Sequence, residues 1–502
     1  MMLTREDFDA QAAQGYNRIA LMATAFADLE TPLSLYLKLA QTENGGRHSF
    51  LLESVVGGER FGRYSFIGLP AHTRLVSRGF GAQACTEVWQ NDQVVERASG
   101  NPLDFIAAYQ QRFRVAPQPN MPRFCGGLAG YFGYDTVRHI EPKLAHSCPP
   151  DPLDCPDILL LHTDELAVID NLTGKLHLMV YANPDQADAY ARATARLNEL
   201  KARLDVPVHA PALGGHVAHP VQHERTQADF EAAVRQAQGL IQAGDFMQVV
   251  VGQRVHKRFD ASPLALYRAL RSLNPSPYMY YYHLGDMHVV GASPEILVRQ
   301  EATPDGQKVI IRPLAGTAAR GATPEQDQAA EAALLADPKE RAEHVMLIDL
   351  ARNDVGRIAQ VGSVKVSEAF AVERYSHVMH IVSHVEGQLR EGLSNMDVLR
   401  ACFPAGTLSG APKVHAMEWI DRLEPTKRGV YAGACGYLSY AGDMDVAIAI
   451  RTGVIKNGTL YVQAAAGVVA DSVPAAEWHE TQHKARALLR AAELAERGME
   501  GA

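Results

Sequence analysis

Four glutamates are spaced for divalent-cation chemistry. In Asp337-Pro338-Lys339-Glu340-Arg341-Ala342-Glu343-His344, Asp337 and Pro338 are helix-start residues. Glu340 and Glu343 follow three apart, so their carboxylates share one helical face. Glu477-Trp478-His479-Glu480, after Pro474, repeats that spacing near the other end of the chain. Brought together by folding, the two faces would offer hard oxygens with no thiolate or imidazole, a set suited to Mg²⁺ rather than Zn²⁺. The competing reading is structural. Glu340 stands where a capping box wants a carboxylate, and glutamate is common on solvated faces.

Other stretches carry groups suited to ligand contact. Gly406-Thr407-Leu408-Ser409-Gly410-Ala411-Pro412-Lys413 is glycine-rich and leads into a helix, but it lacks the Gly-Lys-Ser/Thr of a phosphate loop. It is either a plain loop ahead of a helix or a set of N–H groups and hydroxyls facing an anion. In Arg312-Pro313-Leu314-Ala315-Gly316-Thr317, Gly316 permits close backbone approach to a ligand, or simply a turn. Arg451, between Ile450 and Thr452, reads as pointing to one face of an apolar strand and needs an acidic partner, most commonly a structural one. Cys435 is not an amidotransferase nucleophile, because Tyr437 breaks the Gly-x-Cys-x-Gly pattern; it reads as a small buried thiol.

The chain that must position these groups has 502 residues, 47% hydrophobic and 21% charged, an ordinary globular composition with material for a large core. Its net charge of -9 and lack of a basic patch argue against nucleic acid as a partner. No apolar run is long enough for a membrane span, and Met1 to Asp7 lacks the order of a signal peptide. Six scattered cysteines without Cys-x-x-Cys point to a reduced, cytoplasmic protein.

The first third reads as mostly sheet, in an antiparallel meander. Strands are expected over Ser49–Val56, Arg63–Ile67, Thr73–Ser77, Thr86–Trp89, Ile158–Leu161, Leu166–Ile169 and Leu176–Val180. Helices are expected from Pro32, from Asn101 through Phe113, and over Asp185–Leu204. Residues 205–223, rich in Pro and Gly with four unordered histidines, read as a linker between an N-terminal region (1–204) and a C-terminal region (224–502). Beyond it come helices over Gln227–Ala243 and Pro263–Leu273, and a strand over Phe246–Val255. A hairpin joins Tyr278–His283 to Met287–Val290, two helices meet near Asp337, and His377–Leu389 reads as a long strand. A second hairpin joins Val446–Val454 to Leu460–Ala466 over Asn457-Gly458, and the last helix runs from Ala475 to Arg497.

Gly244 to Val249, Ala292-Ser293-Pro294-Glu295, Arg312 to Thr317, Glu343 to Asp354, Gly406 to Lys413 and the Glu477/Glu480 pair occur in one order. In this the chain resembles the chorismate-utilising enzymes, and among them the branch that forms anthranilate. The resemblance covers nearly the whole chain. It implies an α/β unit of the α+β type, with two packed, mainly antiparallel sheets, helices outside and an active-site cleft. It also implies Mg²⁺ on Glu343 and Glu480, with Glu340 and Glu477 as the neighbouring carboxylates. Implied contacts to chorismate are Gly316, Thr317, Tyr431, Arg451 and the backbone of Ala465, Ala466 and Gly467, where the family usually has Gly-Ala-Gly. Glu295 matches the family's general acid at the C4 hydroxyl, and His380 the histidine of the later elimination; Thr407 and Gln248 belong with this catalytic group.

Two positions discriminate among reactions. Ala315 stands where some relatives carry a nucleophilic Lys, and Gln248 where others carry a water-activating Lys. Neither Ala nor Gln can do that work, which favours ammonia as nucleophile, with pyruvate lost afterwards. Ser54, with Pro277, Tyr278 and Met279, resembles the family's L-tryptophan feedback site. The resemblance further implies a separate glutamine amidotransferase subunit, component II, in a hetero-oligomer, a heterotetramer. The rival expectations are an enzyme that stops at aminodeoxyisochorismate and a tryptophan-binding subunit without catalysis.

Overall fold

The computed structural model describes residues 3–42, 44–54, 62–119, 121–208, 211, 215, 217–374 and 378–499. Among these, two large antiparallel sheets of 12 strands each form the centre of the molecule. The alternation of side chains along the strands explains the layering. In the first sheet Leu51 and Tyr281 face outward to a cluster with the helices Pro32–Leu39, Ala189–Leu204, Pro263–Leu273 and Pro474–Glu496. Phe50, Tyr280 and Tyr282 face inward, where they meet Ala129, Tyr131, Leu159 and Tyr437 of the second sheet. The outer face of the second sheet, with Leu128, Leu160, Val298 and Val446, is covered by the helices Pro102–Gln110, Pro338–Gly356 and Asn395–Cys402, while Gln227–Ala243 and Lys413–Leu423 pack against the strand Gln248–Arg258 of the first sheet. The order is helices, sheet, sheet, helices, and the expected sandwich is present.

Each sheet draws strands from both sides of residues 205–223. In the first, Ser49–Glu53 pairs with Tyr278–His283, placing Glu53 opposite Met279. In the second, Gly127–Phe132 pairs with Ala434–Ser439. The meander expected for the first third is confined to Thr73–Arg78, Cys85–Gln90 and Gln93–Ser99, in the second sheet. The expected strand over Ser49–Val56 is present to Glu53; Val55 and Val56 lie outside the described residues, as does His377 at the start of another. So do 209, 210, 212–214 and 216 of the linker, whose end, Gln222–His223, docks as a short edge strand on Val255 and His256.

One expectation is overturned where it matters for the site. Val446–Val454 is not one strand. Met444–Ile448 belongs to the second sheet, Thr452–Lys456 to the first, and the chain crosses between them at 449–451. Arg451 sits in the crossing with φ of 50°, so it does not project from a sheet face. A left-handed backbone costs a non-glycine residue about 1–2 kcal/mol. Smaller differences are end effects: the helix after Asp185 starts at Ala189, the one after Asn101 stops at Gln110, and the strand after Phe246 begins at Gln248. No helix among the described residues is long and apolar enough to cross a membrane.

Candidate active site

The site lies where the helices Pro338–Gly356 and Pro474–Glu496 reach the ends of the two sheets. The first starts as its sequence dictates, with Asp337 Oδ1 accepting the N–H groups of Lys339 at 2.8 Å and Glu340 at 3.2 Å. Glu340 does not close a capping box: the Asp337 N–H bonds to the Leu334 carbonyl instead. The Glu340 side chain turns toward strand Leu314–Ala319, where a Cβ on Gly316 would stand 3.1 Å from Oε2. Gly316, at φ of 70°, therefore has both a backbone and a space reason to be glycine.

The four glutamates act on one another. Burial and the charges of Glu340 and Glu480 hold the Glu343 carboxyl above its ordinary range. Burial, Asp337 and Glu480 do the same to Glu340, and burial with Glu480 to Glu477. Carboxylates from two helices that raise one another's proton affinity match, in kind, the donor set of a hard dication. Their side chains are not gathered as a cage: among the described residues no three His, Cys, Asp or Glu groups form a metal-ligand set. Glu480 is instead paired with Lys484 at 2.7 Å.

Lys484 was not singled out from sequence. Its Nζ donates to the Ala465 carbonyl at 2.9 Å, and its charge acts on Glu295, Glu343 and Glu477. The signal was its place on the Glu477/Glu480 face, seven and four residues on.

Glu295 is the deepest acid of the cleft. Burial pushes its carboxyl up to about 8, against the opposing pull of Thr407, Arg451 and Lys484. Thr407 Oγ1 donates to Glu295 Oε1 at 3.2 Å. The loop Gly406–Lys413 is therefore more than a lead into a helix, while its Lys413 is tied to Asp354 at 2.9 Å. A pocket opens beside Glu295 and Thr407, between Leu347, Leu350 and Ile448.

His380 Nδ1 lies 3.0 Å from the Gly316 carbonyl and 3.1 Å from Thr317 Oγ1. A ring nitrogen facing a carbonyl must carry the proton, which makes Nε2 the basic nitrogen. Burial lowers the affinity of this ring for a second proton, with Arg451 nearby. Tyr431 is buried, and its hydroxyl hydrogen-bonds the Ala465 backbone. Ala466 pairs with Val251 within the sheet, and Gly467 leaves room for Gln248, whose Nε2 would stand 2.7 Å from a Cβ there. Arg451 is close enough to act electrostatically on Glu295, His380 and Tyr431, which makes it the hub of the constellation. Arg312, by contrast, is held by Glu373 and by His384 at 2.7 Å.

The second group of residues lines another cavity. Ser54, Pro277, Tyr278 and Met279 meet there, with Tyr64, Phe66 and Tyr437 as aromatic walls. Two of its buried polar atoms, Ser54 Oγ and Asp445 Oδ1, have no hydrogen-bond partner among the described residues. Arg299 bridges Asp445 at 2.8 Å and donates to the Tyr278 hydroxyl at 3.1 Å. Cys435 is part of this wall, and burial pushes its thiol up to about 12, so it is inert at neutral pH.

Residues 62–490 match the family described as chorismate binding enzyme. The chain is 56% identical over 502 residues to anthranilate synthase component 1 of Neisseria meningitidis serogroup A, covering 99% of this chain and 100% of that one. It is 55% identical over 506 residues to the protein of that name from Pseudomonas aeruginosa, covering 99% and 100%. The crystal structure of anthranilate synthase component I from Streptococcus pneumoniae superposes with a TM-score of 0.75 at 35% identity, covering 93% of this chain and 99% of that one. The chain belongs to the chorismate binding enzymes and, within them, to the anthranilate synthase component 1 family.

Proposed function

We propose that this chain converts chorismate and ammonia to anthranilate and pyruvate, as a lyase of the cytoplasm that opens tryptophan synthesis. The observation that carries the reading is Glu295: a buried carboxyl that stays protonated to about pH 8, bonded by Thr407 and facing Arg451. Ammonia needs no activation to attack C2 of the ring. As it does so the double bonds shift and the C4 hydroxyl leaves, taking the Glu295 proton to depart as water. The amine then returns a proton to Glu295. In the second half His380, neutral and with Nε2 free to accept, takes the proton from C2 as the bond from ring C3 to the enolpyruvyl oxygen breaks; the aromatic product is left, and the departing enolpyruvate takes that proton back on its methylene carbon to become pyruvate.

Arg451 and Lys484 supply positive charge for the two substrate carboxylates. Glu343 and Glu480, with Glu340 and Glu477 beside them, would hold Mg²⁺, which when bound neutralises the ring carboxylate that these glutamates would otherwise repel. Ala315 and Gln248 offer neither a nucleophile nor a base at the positions where those groups would redirect the reaction.

The cavity at Ser54 suits L-tryptophan as a feedback inhibitor. Its aromatic walls match an indole, and the orphaned Ser54 hydroxyl and Asp445 oxygen match an ammonium group. The relatives' name, component 1, supports a partner: a glutaminase subunit in a hetero-oligomer, a heterotetramer, supplying ammonia to this cleft. Replacing the acid tests the reading at its centre. Glu295→Gln should lower ammonia-dependent turnover by about 10²–10⁴-fold while chorismate still binds. Turnover close to wild type would remove Glu295 from the reaction.

A further inference from the structure

Tyr280 lies in the wall of the Ser54 cavity, but its hydroxyl leaves that wall and meets Thr452 Oγ1 at 2.5 Å. The Thr452 hydroxyl donates to the Ile450 carbonyl at 2.9 Å. With that proton committed, Tyr280 is the donor to Thr452. The Ile450 carbonyl belongs to the peptide that enters Arg451. The Arg451 carbonyl, on the other side, accepts the Ala292 N–H at 3.1 Å, and Ala292 is the strand partner of Met279, another residue of the cavity wall. Both peptides flanking Arg451 are thus held from the strands that border the cavity.

Arg451 is the one cleft residue among those assigned above with a left-handed, non-glycine backbone. Lower-energy alternatives are open to it locally, and these two bonds help to hold its peptides in this one. Tyr280 in turn is packed closely on one face. Its ring lies across Gly291, where a Cβ would stand 2.2 Å from Cε2. An occupant that shifts the ring must shift the hydroxyl.

We propose that Tyr280 and Thr452 are a positioning pair that makes the placement of Arg451 depend on what fills the Ser54 cavity; this rests on the reading of that cavity as an amino-acid feedback site. The pair is an element that both ligands bias: the occupant through the Tyr280 ring, chorismate through Arg451. Coupling of this kind is reciprocal, so chorismate weakens tryptophan binding by the factor that tryptophan weakens chorismate binding.

The test uses the full-length chain and treats each variant as its own reference. The chorismate KM is measured with and without saturating tryptophan, and tryptophan affinity by calorimetry. In wild type the KM ratio is expected within the range of about 5–150-fold found for allosteric couplings. In Tyr280→Phe and Thr452→Val it falls toward one although tryptophan still binds. Thr452→Ser, which restores the hydroxyl, recovers the wild-type ratio. An unchanged ratio in Thr452→Val overturns the proposal, as does a Thr452→Ser that behaves like the valine variant. A wild type that gives no tryptophan heat refutes the feedback site itself, a failure distinct from loss of coupling.

Discussion

Burial holds the Glu295 carboxyl protonated to about pH 8, while the Thr407 hydroxyl, bonded to its oxygen, pulls the other way by favouring the anion. Because the folded pKa is raised, the acid is present below that value and lost as pH rises through it. At saturating Mg²⁺ and fixed free ammonia, kcat/KM for chorismate should therefore fall on the alkaline side near pH 8. Thr407→Val should move that limb upward, since a bond to the anion is lost; a downward shift would mean that Thr407 does not donate to Glu295. At this scale the sequence was informative through order more than through type. Glu295 and His380 are ordinary residues until they fall into register with the other motifs. Lys484 does not stand out by type or spacing, since a lysine four residues after a glutamate on a helix usually forms a solvated pair. Here it also reaches the Ala465 carbonyl at 2.9 Å.

The helices that carry the carboxylates were legible, because Asp337 and the prolines at 338 and 474 mark their starts. The crossing at 449–451 was not. Val446 to Ile450 and Thr452 to Val454 are apolar on both sides of Arg451, and such a run reads as one buried strand. Only tertiary structure shows that its halves belong to different sheets. For the carboxylate helices the expectation is a metal-linked stability. Mg²⁺ at a hundred times its Kd should stabilise the fold by about 2.7 kcal/mol, visible as a rise in melting temperature. Glu343→Gln and Glu480→Gln should each remove that rise and abolish Mg²⁺-dependent turnover. Glu340→Gln should cost turnover about 10–100-fold, as expected of a group that supports the ligands. A full Mg²⁺ shift in Glu343→Gln would dismiss the assignment.

Across the whole molecule, the two sheets interleave strands from both sides of residues 205–223, so the N-terminal third and the catalytic strands share one core. The sandwich could be anticipated from resemblance and not from strand spacing, because alternating apolar strands do not say which partner they choose. This pairing puts Ser54 beside Met279, through Glu53 opposite it, and makes a site that spans both regions. Losing a hydrogen bond to a charged group costs about 1.5–3 kcal/mol, and a bulky side chain also fills the cavity. Ser54→Phe should accordingly raise the tryptophan concentration for half-inhibition by at least about tenfold at equal chorismate; an unchanged curve would take Ser54 out of the site. The central claim concerns the reaction, and one measurement meets it directly: the products formed by the purified chain from chorismate, Mg²⁺ and either ammonia or glutamine. The account predicts anthranilate and pyruvate in equal amounts with ammonia, and neither with glutamine alone. Accumulation of an aminated ring that retains its enolpyruvyl group, or glutamine-dependent turnover without a second subunit, would contradict it.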